Sequence, residues 1–386
     1  MRTANPLTKL RQRPQNREET LQIISPRLQA ALAAGAAAAL VFAAAAQASP
    51  QYHIVQTLQL PGEGGWDDMA FETGGQRLFI AHGTRVDVID TRSLARVAEI
   101  PDTPGVHGIA LAADLGRGYI SAGGAATIVV FDLKTLARLK EIKATGENPD
   151  AIVYDAPTRR VFSFNGRGRN VTVIDALSNE VIGTIALDAK PEFARSDGRG
   201  HVYVNLEDKS SIAVIDARAL TVLSVWPIPG CEEPSGLAID TAGERLFPVC
   251  DNHVMVVVDA RSGRVLGSAP IGEGVDGAGY DPALRLAFAS CGAAGVLTAV
   301  SIGAQGAAHA VQSLMTERGA RTMTLDEDSH RIFLVTADFG PAAPASAEHP
   351  HPRPSILPGT FRLLVIAPER NSARQRHAAH VEGKGP

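Results

Sequence analysis

Four short runs decide the fold: Gly108-Ile109-Ala110-Leu111, Gly118-Tyr119-Ile120-Ser121, Thr127-Ile128-Val129-Val130-Phe131-Asp132 and Ala137-Arg138-Leu139-Lys140-Glu141-Ile142. Each is built from β-branched, aromatic and aliphatic residues and is bounded by turn-forming positions. None shows the 3.6-residue period of an amphipathic helix, so the unit reads as four successive strands.

The same unit recurs along the chain. An aromatic anchor in an apolar run appears at Phe79, Tyr119, Phe162, Tyr203, Phe247 and Phe333, with Ala287 in one copy, at spacings of 40, 43, 41, 44, 40 and 46. Arg77, Arg117, Arg160, Arg245, Arg285 and Arg331 stand two residues before their anchors. A second anchor, Val88-Ile89-Asp90, Phe131-Asp132, Val173-Ile174-Asp175, Val214-Ile215-Asp216 or Val258-Asp259, follows the first by 11 to 14 residues. Seven four-stranded repeats of this length make an all-β, seven-bladed β-propeller. The seventh repeat stops after its third strand, Phe361–Ile366. The run His53–Leu60, ahead of the first repeat, resembles a fourth strand and is expected to complete that last blade.

The strand Phe162-Ser163-Phe164-Asn165, the strand Tyr203-Val204-Asn205, the recurrent Val-Ile-Asp, Gly105-Val106-His107-Gly108-Ile109-Ala110-Leu111 and Asn148-Pro149-Asp150-Ala151 resemble the YVTN-repeat propellers. The likeness is to their YncE-like exported bacterial members and covers residues 51 to 368. It implies a propeller of the cell envelope. Single-stranded DNA binding, attributed to one member, runs against the charge described next.

The 386 residues carry a net charge of −4. Residues 1–48 hold six basic and two acidic residues, so the rest is more acidic still, at −8. An acidic body disfavours a nucleic-acid surface. The basic start, the apolar run Ala30–Ala46 and Ala46-Gln47-Ala48 read as a cleaved signal peptide over 1–48, leaving no stable membrane insertion. The expectation is a periplasmic or secreted monomer whose domain is 49–368, with a disordered tail at 369–386. Export favours a disulfide, expected between Cys231 and Cys250, with Cys291 left free.

Seven positions head the innermost strands: Asp67, His107, Asp150, Glu192, Ser235, Asp276 and Arg321. All are polar, and all are expected at the mouth of the central channel. Asp67, His107, Asp150, Glu192 and Asp276 form the expected site for a divalent cation, with Ca²⁺ first among candidates. Asp68, Ser235, Arg321 and Asn165 are the expected ligand-binding residues beside it. Small neighbours such as Gly108, Gly236 and Gly277 are read as leaving room for a ligand. A proline-rich insertion at 338–360 in the seventh repeat is expected to emerge on the same face as a lid. The expected function is non-catalytic binding of a small molecule, cation or envelope partner. The alternative is a metal-dependent hydrolase resembling gluconolactonase-type propellers. Two tryptophans, Trp66 and Trp226, are too few for a quinone-dependent dehydrogenase.

Overall fold

A computed structural model describes residues 49–342 and 354–369. The expected signal peptide and all but the first residue of the expected tail lie outside the described residues. Among the described residues no helix is long and apolar enough to cross a membrane.

The chain is a seven-bladed β-propeller of seven four-stranded antiparallel sheets, with one further two-stranded ribbon. Blades 1 to 6 span 66–100, 106–143, 149–186, 191–227, 234–270 and 275–315. Blade 7 takes Met323–Asp326, Arg331–Thr336 and Arg362–Pro368 from the end of the chain, and Tyr52–Gln59 from its start. Tyr52 pairs with Pro368 and Gln59 with Arg362, so the ring closes one residue earlier than the sequence indicated. First strands pack side by side around the axis, and blade 7 meets blade 1.

Burial follows position in the blade. Second and third strands are buried almost throughout, as in Arg117–Ala122 and Thr127–Asp132, because neighbouring blades cover both faces. Fourth strands alternate, as Thr221–Pro227 does, because one face is wet. The aromatic anchors lie between blades: Phe79, Tyr119, Phe162, Phe247 and Phe333 are fully buried.

The second anchor is turn chemistry. Asp90 accepts hydrogen bonds from the backbone N–H of Arg92 at 3.1 Å and Ser93 at 2.7 Å. Asp132, Asp175, Asp216 and Asp259 repeat the pattern. Four residues after each aspartate, Leu94, Leu136, Asn179, Leu220 and Gly263 sit at positive φ, where the aspartate-held turn reverses the chain. Five of the six arginines before the first anchors, all but Arg285, make cross-blade ties among the described residues. Arg77 donates to the carbonyl of Leu133 at 2.7 Å, Arg117 to Ala176 at 2.5 Å, Arg160 to Arg218 at 2.7 Å and Arg331 to Thr91 at 3.0 Å. Blade 4 carries His201 in place of the arginine, and there the Tyr203 hydroxyl reaches Ala260 O at 2.9 Å. Hydrogen bonds with a charged donor each contribute about 1.5–3 kcal/mol.

Cys231 and Cys250 form a disulfide within blade 5, and Cys291 is free and buried. The bridge closes a loop of 19 residues and should add roughly 3 kcal/mol in the chain-entropy account. Mass spectrometry of unreduced protein should find one thiol per chain; three would contradict the pairing. Removing residues 52–59 should expose the edge of Arg362–Pro368 and cost far more than one strand, because blade 7 would no longer be tied to the start of the chain. A truncated protein with an unchanged melting temperature would contradict the closure.

Candidate functional site

The polar residues at the mouth are aimed by a repeated irregularity. In each of the first six blades the first strand slips by one residue against the second, between Trp66 and Met69, Val106 and Ile109, Pro149 and Ile152, Pro191 and Ala194, Pro234 and Leu237, and Val275 and Gly277. The extra residue makes a bulge, which turns a side chain out of the regular in–out alternation. Asp67, His107, Asp150, Glu192, Ser235 and Asp276 lie within those slips.

Second-strand side chains hold the bulged backbones. The Ser121 hydroxyl donates to Asp150 O, Asn205 Nδ2 to Ser235 O at 2.9 Å, and the Ser290 hydroxyl to Arg321 O, each crossing to the next blade. The small residues therefore serve packing. A Cβ on Gly108 would meet Asp150 O at 2.9 Å, one on Gly236 would meet Asp276 O at 2.3 Å, and one on Gly277 would meet Met323 N at 2.8 Å. The expectation that these glycines leave room for a ligand is corrected: they let adjacent blades approach.

Three of the five expected metal-binding residues converge. His107 Nδ1 lies 2.5 Å from Asp67 Oδ2 and 3.6 Å from Asp150 Oδ1. One ligand atom each from Asp67, His107 and Asp150 fits within a 4.8 Å set. Their side chains keep about a quarter of their exposure, at 26%, 26% and 27%. Glu192 and Asp276 stand outside this set, and each is paired with a cation. Lys190 Nζ lies 2.6 Å from Glu192, and Arg321 Nε lies 2.9 Å from Asp276. Arg321 also donates to Trp66 O at 2.8 Å, so the network runs from blade 6 through blade 7 to blade 1. It breaks at Ser235, whose hydroxyl turns to Val275 O at 3.3 Å.

Asn165 is not at the mouth. It ends a second strand, is fully buried, and donates to Asn170 Oδ1 at 2.6 Å and Thr172 Oγ1 at 3.0 Å. Its expected ligand-binding role has no access to ligand in this conformation. Asp68 lines the channel beneath the ring.

The insertion does emerge at the mouth. Its described parts, Phe339–Ala342 and Pro354–Ile356, form the two-stranded ribbon; residues 343–353 lie outside the described residues. Phe339, Pro354, Ile356, Leu357 and Pro358 wall a recess of about 690 Å³ that Asp67, His107 and Arg321 also line. The base of the ribbon is braced by Arg362, which bonds Glu317 at 2.8 Å and Asp338 at 2.7 Å.

The mouth is short of positive charge, and its proton affinities show it. Burial lifts Asp150 to about 6 against the pull of His107, with the charge of Asp67 adding to the rise. Burial and the charge of Asp150 carry Glu192 to about 7 despite Lys190. Burial raises Asp276 to about 6 although Arg321 opposes it. Burial would lower His107, but the hydrogen bond to Asp67 and the charges of Asp150, Asp67 and Glu192 outweigh it and bring it to about 9.

No protein-family model matches the sequence, and neither does any curated protein. Solved propellers do match in shape. The chain is similar to the structure of U3-55K, with TM-score 0.65, and to the crystal structure of RRP9 WD40 repeats, with TM-score 0.66. Both alignments have 10% identity and cover 82% of this chain and 99% of the other. At that identity the likeness is one of fold.

Each raised group binds protons more tightly in the folded chain than in the unfolded one, so stability falls as pH rises. The carboxylate contributions are greatest below about 4 and lost through about 6–7; that of His107 is intact below about 6.5 and lost through about 9. The turn aspartates, held below their ordinary value, titrate outside this window. Metal-free protein should therefore melt at progressively lower temperature from pH 5 to pH 8, and Asp150→Asn should flatten the slope. Equal slopes would contradict this account of the ring.

Proposed function

We propose that the chain is an exported, YncE-like binding propeller that holds a divalent cation at its channel mouth, where a small ligand or envelope partner joins it. The observation that carries the reading is the meeting of Asp67, His107 and Asp150, from three different blades, beside a walled recess that Asp67 and His107 line. Nothing local forces these residues together; only the closed ring does.

A histidine with two carboxylates suits Zn²⁺ or Mn²⁺ better than Ca²⁺, which takes six to eight oxygens. Glu192 and Asp276 then act at one remove, their charges partly neutralised by Lys190 and Arg321. Ligand groups reaching the cation would come from the recess, past Trp66 and the ribbon.

The test is thermal. After dialysis against EDTA, Zn²⁺ or Mn²⁺ at a hundredfold excess over its dissociation constant should add about 2.7 kcal/mol, which is several degrees in a domain of this size. Ca²⁺ should do less. His107→Ala and Asp150→Asn should fold and lose the response; a wild-type melting temperature indifferent to both chelator and metal would overturn the reading.

A second reading, a metal-dependent hydrolase resembling gluconolactonase-type propellers, rests on one feature. Three protein donors leave coordination positions facing the recess, as catalytic metal sites do for water. Turnover of a simple lactone that is lost with EDTA and with Asp150→Asn would favour it over binding alone.

A further inference from the structure

Beneath the ring the axis widens into a second cavity of about 410 Å³, to which all seven blades contribute. Aliphatic side chains, Met69, Ile109, Ile152 and Leu325 among them, share its walls with polar and charged groups. Three charged residues line it: Glu327 from blade 7, and the opposite charges Asp68 from blade 1 and Arg195 from blade 4. In a seven-membered ring blades 1 and 4 stand nearly across from one another.

Both charges are poorly answered. The only hydrogen bond to the Asp68 carboxylate among the described residues comes from the neighbouring N–H of Met69, at 2.8 Å. Arg195 donates Nη1 to Ala194 O at 2.9 Å, the residue beside it in sequence, and leaves the rest of its fork free among the described residues. The two do not reach ion-pair distance of each other. Separated opposite charges held inside a fold are costly unless something between them completes both.

We propose that this cavity binds a small zwitterion whose amine and carboxylate are held apart by an aliphatic chain. The carboxylate is taken by the free guanidinium fork of Arg195, which matches its geometry. The ammonium is taken by Asp68, and the methylenes lie against Met69, Ile109, Ile152 and Leu325. The site differs from the mouth cluster in cavity and in charge pairing.

The test uses full-length protein in EDTA, which leaves the mouth out of play. The probes are the ω-amino acids from 4-aminobutanoate to 8-aminooctanoate, with hexanoate and hexylamine as one-charge controls, read by calorimetry and melting temperature. One chain length should bind best and raise the melting temperature, and both controls should bind at least tenfold more weakly. Asp68→Asn and Arg195→Gln should each weaken the best member at least tenfold, and Arg195→Lys should retain part of the affinity. Should a variant fail to fold, the wild-type series against its controls decides. Equal binding of hexanoate or hexylamine, or binding by no member of the series, would overturn the proposal.

Discussion

The antiparallel pairing of Tyr52–Gln59 with Arg362–Pro368 is the interaction on which the rest depends. Each blade is a sheet whose faces are apolar and whose inner strand has a free edge; it is stable only between two neighbours. Closing the ring gives blade 7 its fourth strand and blade 1 a neighbour, and it removes the edge that would otherwise invite pairing with another chain. Arginine ties then join most neighbouring blades, with Arg331 of blade 7 reaching Thr91 of blade 1.

Closure also makes the chemistry. Seven first strands converge on one axis, and the bulges in six of them turn polar side chains into the same narrow mouth. Carboxylates from separate blades are thus brought within a few ångströms of each other by packing energy spent elsewhere, against their own repulsion. The protein tempers this with Lys190 and Arg321 on one side of the ring. On the other side Asp67, His107 and Asp150 share a proton at His107, where a divalent ion would satisfy both carboxylates more fully.

Much of this was legible in the sequence because strand period and turn chemistry are local. The anchors Phe79 to Phe333 mark second strands, and the aspartates mark the turns that follow third strands. A polar residue at the head of an otherwise apolar strand is likewise a local anomaly, which is why Asp67, His107 and Asp150 stood out. What stayed hidden depends on neighbours far along the chain. Arg117 was visible as a repeated residue, but its partner, the carbonyl of Ala176, lies 59 residues away. Gly236 looked like vacant space until Asp276 O of the next blade was seen pressing on it. Asn165 read as a ligand-binding residue because nothing local says that the end of its strand is fully buried. Lys190 and Arg195, two residues before and three after Glu192, carry no repeat signal at all; their roles come only from where blade 4 sits in the ring.

The central claim is that ring closure assembles one cation site from three blades. A crystal structure of protein soaked with Zn²⁺, with anomalous scattering measured at the metal's absorption edge, tests it most directly. The expected result is a single strong peak at about 2.0–2.2 Å from donor atoms of Asp67, His107 and Asp150, with Glu192 still on Lys190 and Asp276 still on Arg321. A mouth without a peak, His107 bridging Asp67 and Asp150 unchanged, would contradict it.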